Sequence, residues 1–83
     1  MRKDVLVPTL LRWRGHRFYF WAREPNEPPH IHVDKDNKTI KIWLSSLEVA
    51  YNDGFAGHEV TRILKVAEQH RDAFLRAWHD FFV

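Results

Sequence analysis

Apolar and polar positions alternate with a period of two through much of the first half of the chain, and recur with a period near 3.6 through its last third. Between Thr9 and Ala22 the runs Leu10–Leu11–Arg12–Trp13–Arg14 and Arg17–Phe18–Tyr19–Phe20–Trp21 flank Gly15–His16. Such aromatic-rich runs around a glycine predict a hairpin turning at Gly15. Phe18 and Phe20 fall on its buried side, and Arg17, Tyr19 and Trp21 on the other. Arg23 to Pro29 reads as a loop, because the adjacent Pro28 and Pro29 cannot donate to a central strand. His30 to Leu44 predicts a second hairpin around Asp36–Asn37. Alternation puts Ile31, Val33, Ile40, Ile42 and Leu44 on an apolar face, and His30, His32, Asp34, Thr39, Lys41 and Trp43 on the opposite one.

Ser45–Ser46–Leu47–Glu48 matches a capping box and predicts a short helix to about Tyr51, ended by Asp53–Gly54. From about His58, Val60, Ile63, Leu64, Ala67, Phe74, Trp78 and Phe81 follow helical spacing, and no Gly or Pro intervenes before the end. One helix over that span would run about 37 Å. Its terminal Phe81 and Phe82 would then either overhang, pairing with a second copy, or fold back onto the sheet. The expected fold is α+β: two β-hairpins forming a small antiparallel sheet, a short helix, and a long C-terminal helix packed on one face, in a single domain over residues 1–83.

Composition narrows the function classes. A chain of 83 residues has room for one core, which excludes multi-domain enzymes. With 45% hydrophobic and 29% charged residues the chain is neither disordered nor membrane-spanning in character. The absence of cysteine removes thiolate nucleophiles, disulfides and Cys-type zinc knuckles, and fits a reducing cytoplasm. Asp4 and Pro8 interrupt the apolar amino-terminal run and Arg12 and Arg14 close it, so no signal peptide is read there. No stretch reaches the roughly 18 apolar residues of a membrane span. Charge is uneven: residues 1–23 carry six basic residues against Asp4 alone, whereas residues 42–83 carry four basic against six acidic. That polarity suits an anion or a nucleic acid at the amino-terminal part, or simply a mixed solvated surface.

His30-Ile31-His32-Val33-Asp34 is the sharpest local feature. Groups at i, i+2 and i+4 of a strand project to one side, so His30 and His32 can offer two imidazoles to zinc or a similar divalent ion, with Asp34 or Glu27 as third ligand. His58, His70 or His79 would complete a site only by packing over that face. A second reading needs no metal: Arg12, Arg17, His30, His32 and Lys41 on neighbouring strands would hold a phosphate, and Tyr19, Trp21 or Trp43 would stack on a base. Catalytic residues are not assigned by the pattern. Phosphate loops and His-Glu-x-x-His are absent, and Ser45 and Ser46 are spoken for as caps.

Asn26-Glu27-Pro28-Pro29-His30-Ile31-His32-Val33, preceded by Arg17-Phe18-Tyr19-Phe20 and followed by Trp43-Leu44 and Ala77-Trp78-His79, resembles the bacterial family called domain of unknown function 4160. Residues Met1 to Val7 lie outside the resemblance, and Ala56-Gly57-His58 stands where the family is expected to carry a Ser-type cap. The resemblance implies a small cytosolic α+β protein whose gene often neighbours another short one, an arrangement similar to toxin–antitoxin pairs. It implies no activity and no catalytic residues, and adds focus to Glu27, Pro28, Pro29, His30 and His32.

Three functional readings follow. The first is a component of a toxin–antitoxin-like module that binds a small protein encoded by a neighbouring gene, with RNA or DNA contact through Arg12, Arg17, Tyr19, Glu27, His30, His32, Lys41 and Trp43. The second is a metal-dependent hydrolase or nuclease using His30 and His32 with Asp34 or Glu27. In the third the histidines only anchor the Glu27-Pro28-Pro29 loop. Which sheet face the helix covers decides whether the histidines stand open or lie in the core.

Overall fold

The computed structural model describes residues 8–82. The expectation that the first residues form no signal peptide lies outside them. Five strands, β1 (Thr9–Trp13), β2 (His16–Tyr19), β3 (His30–Lys35), β4 (Lys38–Trp43) and β5 (Val49–Asp53), are followed by two helices, α1 (Gly57–Gln69) and α2 (Arg71–Phe82). The strands form one antiparallel sheet in the order β1-β2-β3-β4-β5. Among the described residues, no helix is long and apolar enough to cross a membrane.

Both predicted hairpins are present. Arg14 and Gly15 turn the first with φ of 47° and 79°, the pair of positive values whose twist matches that of the flanking strands. Asp36, at φ 54°, turns the second. Phe18, Ile31, Val33, Ile40, Ile42 and Leu44 are wholly buried and meet Phe55, Ile63, Val66, Ala67 and Phe74 in one core. The helices therefore cover the apolar face chosen by alternation, and His30, His32, Asp34, Thr39 and Lys41 lie on the face turned away from them.

Two expectations are corrected. Residues 45–48 do not start a helix. Leu47 takes a left-handed φ of 60° and its N–H bonds the Trp43 carbonyl at 2.8 Å. The Ser46 hydroxyl accepts the Glu48 N–H at 3.2 Å, so serine closes a turn instead of capping a helix. Val49-Ala50-Tyr51 then pairs with β4 as a fifth strand, where backbone hydrogen bonds to an available edge outweigh a weak local helix signal. The capping interaction falls later: the Glu59 carboxylate accepts the Ala56 N–H at 3.0 Å at the start of α1. Ala56 has no side-chain oxygen to return it.

The long helix is broken at His70, whose φ and ψ are −109° and 9°. Apolar spacing lapses there, since Glu68, Gln69, His70, Arg71 and Asp72 follow Ala67 without an apolar residue among them. His70 Nδ1–H donates to the Val66 carbonyl at 3.0 Å, which that residue's own N–H also uses at 3.1 Å. Interrupting a helix costs a hydrogen bond or two, about 1 kcal/mol each. Burying Phe74 and Trp78 returns about 1.5–3 kcal/mol apiece. The bend directs α2 so that Phe74 packs on Phe18 at 5.8 Å and Trp78 on Phe20 at 5.1 Å between ring centroids. Phe81 and Phe82 lie 5.4 and 5.5 Å from Phe20 in the same chain, so the helix end folds back onto the sheet.

Candidate metal centre

His30 and His32 open β3 and project to one side with ring centroids 5.2 Å apart. Although the helices pack on the opposite face and only Trp78 of α2 reaches round to His30, both are buried, His30 completely and His32 to 8% exposure. The covering comes from the segment between β2 and β3. Glu24 N–H bonds the Trp21 carbonyl and Glu27 N–H the Glu24 carbonyl, each at 3.4 Å, so the loop doubles back over the sheet. Pro28 and Pro29 lead it into β3, where the Pro29 carbonyl accepts the Leu44 N–H at 3.0 Å.

This loop delivers Glu24 between the two imidazoles. Its Oε1 accepts from His30 Nε2 at 2.8 Å and from His32 Nε2 at 3.2 Å. His30 Nδ1–H donates to the Pro28 carbonyl at 2.9 Å, which locks the ring with Nε2 toward Glu24. Trp78 and Trp43 wall the His30 ring at 4.9 and 5.6 Å, and Tyr19 stacks on His32 at 5.4 Å. Partial burial alone would raise the Glu24 carboxyl, but the hydrogen bonds and charges of the two histidines hold it below its usual range. His32 is pushed down chiefly by its own burial, against the pull of Glu24, which favours the neutral ring.

Among the described residues Glu24, His30 and His32 are the one group whose donor atoms could hold a metal ion, all lying within 4.8 Å of one another. The carboxylate brought to the two histidines is that of Glu24, where the sequence pointed to Asp34 or Glu27. Asp34 is occupied elsewhere, accepting from the Tyr19 hydroxyl at 2.9 Å and the Thr39 hydroxyl at 2.6 Å. Burial first, and then the hydrogen bond to Asp34 and its charge, raise the Tyr19 phenol above its usual range, against smaller opposing effects of Arg17 and Thr39. Glu27 pairs with Lys41 at 2.5 Å and stays 4.0 Å from His30 Nδ1. His58, His70 and His79 are not part of the group. Glu24 sits six and eight residues before the histidines in an irregular loop, and no spacing rule points to it.

The residues expected to cradle a phosphate are engaged within the chain. Lys41 is matched by Glu27 and lies 4.6 Å from the Trp43 ring centre. Arg17 donates to the Thr9 hydroxyl at 2.7 Å and covers the Tyr19 ring at 4.6 Å. Arg12 pairs with Arg17 across β1 and β2, with β2 between it and the strand of the histidines. Glu24, Glu27 and Asp34 interleave with the cations, so this face is balanced in charge.

The profile of a domain of unknown function, DUF4160, matches residues 15–79. The chain belongs to the DUF4160 family. Its match takes in β2 to β5, α1 and most of α2, together with Glu24, His30 and His32. No curated protein and no solved structure matches this DUF4160 member.

Two imidazole nitrogens and one carboxylate oxygen form a donor set that suits zinc or another divalent transition metal. The Pro28 carbonyl behind His30 is the outer partner such ligands usually have. His30 Nε2, His32 Nε2 and Glu24 Oε1, which now bond one another, are the atoms that would hold the ion.

Proposed function

We propose that this DUF4160 member is a metal-dependent hydrolase whose centre is Glu24, His30 and His32. The observation that carries the reading is the convergence of Glu24 Oε1 on both Nε2 atoms while Pro28 fixes the His30 ring. Three protein ligands leave a coordination position for water or substrate, as in hydrolytic rather than structural zinc sites. When bound, the ion supplies a Lewis acid and lowers the pKa of its water. His32 also lines an open groove of about 350 Å³ with Tyr19, Trp21, Asp34, Thr39 and Tyr51. This groove is where a substrate would lie beside the centre.

Cobalt substitution tests the reading. Metal-depleted protein should take up one Co²⁺ with the intense visible bands of a low-coordinate N/O site, and His32→Ala should lose them; hydrolysis of generic ester and phosphodiester substrates should depend on the metal. Absence of a saturable spectrum would refute the centre, and a metal-loaded protein inert to both substrates would refute the hydrolase.

A second reading is favoured by a different element. Every residue of β5 is exposed, including Val49 at 38% and Tyr51 at 49%, and β5 is an outer strand of the sheet. An unpaired edge of this kind can accept a strand from another chain. It supports a partner-binding role in a two-gene module similar to toxin–antitoxin pairs. Co-expression with the neighbouring gene's product, followed by light scattering, should give a complex that Tyr51→Lys weakens. Recovery of two separate monomers would refute it.

A further inference from the structure

At the far end of β3 from the histidines, roughly 16 Å along the strand, the β1–β2 turn, the end of β3 and the first turns of α1 enclose a second cavity. It measures about 220 Å³ and is lined by Trp13, Arg14, His16, Lys35, Glu59 and Arg62. Arg14, Lys35 and Arg62 form no ion pair with any described residue. Their one acidic neighbour is already spent. Glu59 Oε2 is paired with Lys38 at 2.9 Å, and Oε1 accepts the Ala56 N–H at 3.0 Å. Three cations thus share one cavity whose single acidic lining residue is paired elsewhere, with no other anion among the described residues lining it, an arrangement that an incoming anion relieves.

His16 fixes one wall of the cavity. It is only 6% exposed and packs between Trp13 and Phe55, with ring centroids at 4.8 and 5.9 Å. Nδ1–H is held by the Trp13 and Arg14 carbonyls at 2.9 and 3.1 Å, while Nε2 makes no hydrogen bond within the described residues. The cavity wall therefore presents two guanidinium groups and an ammonium beside a fixed, close-packed imidazole, and its three cationic side chains match the demands of a tetrahedral oxyanion. Guanidinium groups give paired donors to two oxygens at once. The volume equals roughly seven water molecules at about 30 Å³ each, enough for a phosphate group and too little for a whole nucleotide.

We propose that Arg14, Lys35 and Arg62, in the cavity walled by Trp13 and His16, bind the phosphate group of a phosphorylated ligand. This site is separate from Glu24, His30 and His32 and stands whether or not those residues hold a metal.

The test is titration of the full chain with inorganic phosphate and, in parallel, with a short single-stranded oligonucleotide, reading the Trp13 indole signal by NMR. Phosphate should shift that signal saturably below about 10 mM. Arg62→Ala and Lys35→Ala, both surface changes whose fold circular dichroism would verify, should each weaken binding about tenfold, the value of one charge-assisted hydrogen bond. Arg76→Ala, on α2, should leave it unchanged. Oligonucleotide binding far tighter than phosphate, with the same dependence on Arg62 and Lys35, would identify a backbone phosphate as the ligand; equal or weaker binding would identify a small phosphorylated molecule. No saturable shift with either probe, or binding that Arg62→Ala and Lys35→Ala leave intact, would overturn the proposal.

Discussion

Replacing Glu24 by Gln preserves size and removes the charge that joins the two imidazoles, so it separates a metal ligand from a loop anchor. In the metal-free protein Glu24 accepts two hydrogen bonds, from His30 and His32, with its side chain 27% exposed. Bonds to a charged group contribute about 1.5–3 kcal/mol and neutral ones about 1 kcal/mol. Partial exposure places the pair at the low end, and Gln can still accept one bond, which leaves a net loss of about 1–2 kcal/mol. For a domain of this size that lowers Tm by about 4–16 °C. Metal widens the gap. Zinc at one hundred times its Kd stabilises the native protein by about 2.7 kcal/mol, whereas a variant binding a hundredfold more weakly gains only about 0.4 kcal/mol at the same concentration. Wild type should therefore rise by about 11–22 °C on adding zinc, and Glu24→Gln by about 2–3 °C. Differential scanning fluorimetry with and without zinc measures all four values. Equal zinc-induced shifts in both proteins would refute the assignment of Glu24 as a ligand, even if the variant's metal-free Tm fell as expected.

Three further outcomes follow from the geometry. Trp78→Ala removes a side chain packed on both Phe20 and His30 and should cost about 3–5 kcal/mol in urea denaturation; a loss below about 1 kcal/mol would contradict the docking of α2. Gly54→Ala should destabilise and Gly57→Ala should not, because Gly54 has φ +106° and an added Cβ would come within 2.8 Å of Lys38, while Gly57 has open space around it; melts giving the reverse order would refute the loop geometry. The Ala56 N–H and the Lys38 ammonium hold the Glu59 carboxyl down to about 2 from an ordinary 4.5. Its contribution is thus full above pH 4.5 and lost as pH falls toward 2, so Glu59→Gln should flatten the stability profile within that window. An unchanged profile would argue against the Lys38 pair.

Alternation along Arg17–Phe20 and His30–Leu44 was sufficient to define the hairpins, the buried Ile and Val residues, and the common side of His30 and His32, because strand geometry converts spacing directly into facing. Gly15 marked the first turn for an equally local reason, its freedom at positive φ. What lay beyond sequence reasoning depends on partners distant along the chain. Val49-Ala50-Tyr51 is a strand because β4 offers it an edge. The helical stretch breaks at His70 because Phe74 and Trp78 gain more from reaching Phe18, Phe20 and His30 than a straight helix gains from one continued turn. Glu24 joins the histidines through a loop with no periodicity, and Arg14, Lys35 and Arg62 meet only when two turns and a helix converge. Spacing shows which side a residue faces within its own element; what stands opposite it is decided by how the elements pack.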